Sequence, residues 1–149
     1  MEIEMNVILR TNDHLGDVVI LTNVIHNLKK SFPDINFCVD AREKYLDVFE
    51  NNPYISWFDK SVADFCIECV YAPYSQKTAN AGSCIRAFNI NAFEKMRIIT
   101  GHNRFSIDIL TPEFFIKTND NKYGDYCIIN ANCQKCSETK AYPYYQDVV

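Results

Sequence analysis

The densest chemistry in the chain lies in residues 10–17, Arg10-Thr11-Asn12-Asp13-His14-Leu15-Gly16-Asp17. Asp17 is a candidate general base, because a carboxylate can take a proton from a substrate hydroxyl held directly against it. The simpler reading is a carboxylate that complements the start of a helix. Gly16 permits close approach of backbone or ligand, and His14 borders the Gly16-Asp17 pair. The loop is not a nucleotide fingerprint. It holds one glycine where the dinucleotide motif needs three, and it lacks the Gly-Lys-Ser/Thr of a phosphate loop. Asp40, which closes a later apolar run, has the position of a ribose-binding acid but not the glycines that accompany one.

Seven cysteines include two Cys-x-x-Cys pairs, Cys66/Cys69 and Cys133/Cys136. Zinc sites of this type separate their pairs by about 12–20 residues, and the gap here is far larger. Cys66 and Cys69 also fall in a strand-like run, where positions i and i+3 point to opposite faces. A thioredoxin-like pair opens a helix after a strand, whereas Cys133 and Cys136 follow a strand into a polar loop. No metal site is expected, and the cysteines read as reduced thiols. His26 and His102 read as surface or loop residues.

The elements that position residues 10–17 are legible in the hydrophobic pattern. Residues 5–9 form a short apolar strand, and Val18, Leu21, Ile25, Leu28 and Phe32 recur at helical spacing. The helix spans about 15–30, with Lys29 and Lys30 suiting its end and Pro33 stopping it. Residues 35–39 repeat the strand, so the first forty residues predict a βαβ unit with parallel strands. Ligands of open parallel sheets bind beyond the carboxyl ends of the strands, which is where residues 10–17 fall. Further on, the pattern predicts a short helix over 42–49, strands over 54–58 and 64–71, a surface loop over 71–82 and a helix over 83–100. The polar run 117–124 marks a domain boundary, giving a first domain over 1–120 and the start of a second over 121–149. Residues 126–130 read as a strand there, and 144–149 as the first turns of a helix.

Composition sets outer limits. With 48% hydrophobic and 13% aromatic residues against 23% charged, the 149-residue chain buries a core and is not disordered as a whole. A net charge of -4 without a basic cluster argues against nucleic acid as a partner. The acidic N-terminus and five-residue apolar run fit neither a signal peptide nor a membrane helix. The expectation is a cytoplasmic protein.

Leu15-Gly16-Asp17-Val18-Val19, followed by Thr22, Leu28-Lys29 and Phe32-Pro33, resembles the N-terminal motif of glycosyltransferase family 9, the ADP-heptose:lipopolysaccharide heptosyltransferases. Asn52-Pro53-Tyr54-Ile55 looks like that family's Asn-Pro turn and third strand. Residues 126–130 with Lys140-Ala141-Tyr142-Pro143 are similar to the start of its C-terminal domain. The likeness covers 5–55 and 126–149. Asn132 and Cys133 depart from it, standing where relatives tend to be glycine-rich.

The resemblance implies an α/β fold, a Rossmann-like parallel sheet with flanking helices forming the N-terminal half of a GT-B architecture. It implies inverting, metal-independent sugar transfer without a cofactor. By this likeness Asp17 matches the family's proposed base and Lys140 a residue near the donor phosphates; His14 and Gly16, beside Asp17, are the candidate substrate contacts. The partners implied are a nucleotide-sugar donor and a glycan or lipopolysaccharide-type acceptor, the latter allowing peripheral membrane contact. Most of the donor domain is absent, so a fragment inactive alone is expected. The rival reading is a non-enzymatic binding module for a glycan or a protein.

Overall fold

Val7-Ile8-Leu9, three branched apolar residues in succession, form the centre of strand β1, Met5–Arg10. Helix α1, Leu15–Ser31, returns the chain to β2, Ile35–Asp40. The turn between them uses Phe32-Pro33: the Phe32 N–H donates to the Leu28 carbonyl, and proline has no N–H with which to continue the helix. Lys29 then ties the helix end to the next strand by donating to the carbonyls of Pro33 and Ile35, each at 2.8 Å. A third strand, β3, Phe65–Glu68, precedes helix α2, Cys84–Thr100. The computed structural model describes residues 5–11, 14–70 and 84–115. Contacts divide the chain into two units, Met1–Lys117 and Thr118–Val149, and every described residue belongs to the first.

Among the described residues the sheet has three parallel strands in the order β2-β1-β3. Register pairs run from Met5–Ile35 to Arg10–Asp40 on one side of β1, and from Val7–Phe65 to Arg10–Glu68 on the other. This is an α/β fold with a parallel sheet and flanking helices, compatible with a Rossmann-like arrangement.

Strand alternation divides the side chains between two faces. Val7, Leu9, Ile35, Phe37, Val39 and Ile67 enter the hydrophobic core, where they meet Val18, Leu21, Ile25 and Leu28 of α1 and Phe88, Phe93 and Met96 of α2. Each fully buried side chain of this size contributes roughly 1.5–3 kcal/mol. That burial, rather than helix propensity, holds α1 against the sheet. The same alternation separates Cys66, which is exposed, from Cys69, which lies in the core.

Two expectations need correction. Residues 54–58 are not a strand. The Asn52 side chain accepts from the Tyr54 N–H and its carbonyl from the Ile55 N–H, so a turn captures both amides, and one bond, Ser56 N–H to the Phe37 carbonyl, remains along β2. β3 covers only Phe65–Glu68 of the run 64–71, because β1 ends at Arg10, the register partner of Glu68. The short helix expected over 42–49 is present and winds as a 3-10 helix over Glu43–Phe49. Residue 71, the loop over 71–82, the run 117–124, the strand over 126–130 and the helical turns over 144–149 lie outside the described residues.

After α2 the chain turns at Gly101, which has φ +71, a backbone region that favours glycine. Residues 102–115 then run back along α1 without regular secondary structure. Arg104 donates to the Ser31 carbonyl at one end of α1, and the Glu113 N–H donates to the Thr22 hydroxyl towards the other.

Candidate functional site

The carboxyl ends of β1 and β2 and the start of α1 meet at one edge of the sheet. His14 is the N-cap of α1: its backbone is extended, its carbonyl accepts the Val18 N–H at 3.1 Å, and its side chain caps nothing. Gly16 and Asp17 follow in the first turn, so the βα turn alone brings His14, Gly16 and Asp17 together. His14 and Gly16 are exposed and Asp17 is half-buried. A methyl group added at Gly16 would meet no atom of the described residues within 4 Å, so among them the space beside this turn is open. Among the described residues the Asp17 carboxylate has no hydrogen-bond or ion-pair partner. A half-buried carboxylate can accept a proton from a hydroxyl brought to it.

Thr11 was not singled out by its sequence. It directly follows β1 and is buried, and its hydroxyl has no partner among the described residues. In strand alternation it shares the side of Val7 and Leu9, the side on which α1 packs. The one signal available was its place immediately after an apolar run.

Beside Thr11, Arg10 and Asp40 end their strands as register partners and bond to each other through Nε and Oδ2 at 2.8 Å. Lys60 donates to the other Asp40 oxygen. The Lys60 hydrogen bond, with Arg10, holds the Asp40 carboxyl below the usual carboxylate range, and the bond to Asp40 raises Arg10. Asp40 is therefore engaged on both oxygens and is not free to bind a ribose. Lys95 of α2 donates to the Glu68 carbonyl at the end of β3.

The reading of His26 as a surface or loop histidine is overturned. His26 lies within α1, 6% exposed, with its Nδ1–H donating to Glu113 Oε2 at 2.5 Å and its ring 4.4 Å from that of Tyr54. Glu113 reaches it across 87 positions, a contact that helical periodicity within α1 could not reveal. His102 is exposed after α2, as expected. Lys140, Asn132 and the Cys133/Cys136 pair lie outside the described residues.

Among the described residues no group of three or more His, Cys, Asp and Glu side chains could hold a metal ion, and no helix is long and apolar enough to cross a membrane. An open cleft of about 280 Å³ lies at the opposite edge of the sheet, between Met5, Phe32, Ile35, Ile99 and Arg104. His102 lines it, but His14, Gly16 and Asp17 do not. No family model matches the chain, and neither a curated protein nor a solved structure matches it.

Proposed function

We propose that the chain is the acceptor-side domain of an inverting glycosyltransferase, similar to glycosyltransferase family 9 and of GT-B architecture. The observation that carries this reading is the placement of Leu15-Gly16-Asp17. A half-buried carboxylate with no partner among the described residues stands in the first turn of α1, beyond the carboxyl end of β1 and next to Gly16. Ligands of open parallel sheets bind at this edge, and a base with no competing partner among the described residues suits proton abstraction there.

In the proposed reaction an acceptor hydroxyl gives its proton to Asp17, and its oxygen attacks the anomeric carbon of a nucleotide sugar. The new glycosidic C–O bond forms as the bond to the diphosphate oxygen breaks on the opposite face, which inverts the configuration. The nucleoside diphosphate leaves with the electron pair, and Lys140 is the candidate cation to stabilise it. His14 and Gly16 would flank the acceptor. A cytoplasmic location, with a glycan or lipopolysaccharide-type acceptor reached at a membrane surface, belongs to the same proposal.

The test joins residues 1–120 to the donor-binding domain of a family 9 enzyme and supplies its nucleotide sugar and acceptor. Transfer with inversion, read by NMR of the anomeric proton, supports the proposal. Saturable acceptor binding without transfer by a folded fusion, whose donor domain still binds the nucleotide sugar, would favour a binding module.

A further inference from the structure

α1 is apolar on its sheet side, yet Thr22, Asn23, His26 and Asn27 are all buried. Their spacing, i, i+1, i+4 and i+5, gathers them into a stripe along one side of the helix. Asn89 of α2, also buried, joins them: it donates to Asn23 Oδ1 at 2.6 Å and accepts from Asn27 at 2.9 Å. This stripe reads the backbone of residues 108–113. Asn27 Oδ1 accepts the N–H groups of Asp108 and Ile109, and the Asn23 amide donates to the carbonyls of Ile109 and Thr111. Thr22 accepts the Glu113 N–H, and His26 bonds the Glu113 carboxylate.

The segment joins no strand ladder, and its Leu110 and Phe114 are 44% and 55% exposed. The left-handed Gly101 stands at its base. We propose that residues 107–115 form a strap that opens from α1 as a single unit, with His26–Glu113 as its lock. The unity follows from sharing. Asn27 bonds Asp108, Ile109 and Asn89 at once, so lifting any part of the strap strips partners from a connected set of buried amides. Partial lifting is therefore costlier than complete opening, in which water reaches them all.

The strap has a direction. It runs antiparallel to α1, and its far end is held where Phe115 stacks on Tyr54 and accepts a hydrogen bond from Asn51. Glu113 is fixed at Thr22, five residues or about 7.5 Å of helix from Asp17. This inference does not rest on the transferase reading.

Amide hydrogen exchange of the full 149-residue chain at one fixed pH tests it. The amides of Asp108, Ile109 and Glu113 should share one opening constant, at least tenfold larger than that of β1 amides. Glu113→Gln, and independently Thr22→Val, should raise all three together by about tenfold and leave β1 unchanged. Three unequal constants, exchange of all three at the β1 rate, or a response confined to Glu113 would each overturn the proposal.

Discussion

Arg10 and Asp40 end adjacent parallel strands as register partners, and their side chains bridge the strand ends at 2.7–2.8 Å with Lys60 on the remaining Asp40 oxygen. The folded state holds the Asp40 carboxyl below its ordinary value, chiefly through the Lys60 hydrogen bond. A depressed carboxylate adds stability above the unfolded value of about 3.9, and that stability is lost as pH falls through the lower folded value. Asp40→Asn should therefore lower the unfolding midpoint at pH 7 and lessen its fall between about pH 5 and 3. Denaturant titrations of both proteins across that range check this. Curves that stay parallel down to pH 3 would show that the bridge adds no pH-linked stability.

Cysteine reactivity should divide along the sheet. Cys66 and Cys84 are exposed, Cys38 is buried, and burial pushes the Cys69 thiol up to about 12. Since the thiolate is the reactive form, brief alkylation of the native protein at pH 8 should label Cys66 and Cys84 and spare Cys38 and Cys69 until denaturant is added. Peptide mass mapping reads the outcome. Early labelling of Cys69 would contradict its place in the core.

Two glycines should respond with opposite signs. Gly101 has φ +71 and no steric neighbour, so Gly101→Ala should cost roughly 1–2 kcal/mol through backbone strain alone. Gly16 lies in the first turn of α1 with nothing near an added methyl, so Gly16→Ala should gain up to about 1 kcal/mol. Thermal melts of the two variants check the pair. A Gly16→Ala protein that is more stable but binds acceptor less well would identify that space as a ligand's.

The βαβ unit could be read from sequence because its determinants are local. The spacing of Val18, Leu21, Ile25, Leu28 and Phe32 and the stop at Pro33 each act within a few residues of where they are seen. Residues 54–58 misled for the complementary reason: aromatic and branched residues have strand character, but Asn52 captures the amides that a ladder would need. His26 failed differently. Its surroundings are supplied by Glu113 and Tyr54, and no periodicity within α1 encodes a strap arriving from beyond α2. The Asp17 turn was visible because a loop between a strand and a helix must lie at a sheet edge. The Arg10–Asp40–Lys60 bridge was not, because its members meet only through parallel register.

Asp17 has two readings that predict opposite outcomes from one substitution. Asp17→Asn keeps the side-chain size and its capacity to accept a hydrogen bond at the helix start, but the amide cannot take up a proton. Asp17 has no partner among the described residues, so its structural share is the carboxylate's interaction with the helix dipole, about 0.3–1 kcal/mol. If Asp17 is the base, turnover by the fusion carrying a donor domain should fall by roughly 10²- to 10⁴-fold, while the unfolding midpoint barely moves. If Asp17 only complements the helix dipole, the midpoint drops slightly and turnover stays near wild type. Measuring both on the same sample separates the two, because a folding defect large enough to mimic lost catalysis would appear in the midpoint. Near-wild-type turnover by Asp17→Asn would remove this carboxylate from the mechanism and leave the open space beside Gly16 as a binding surface only.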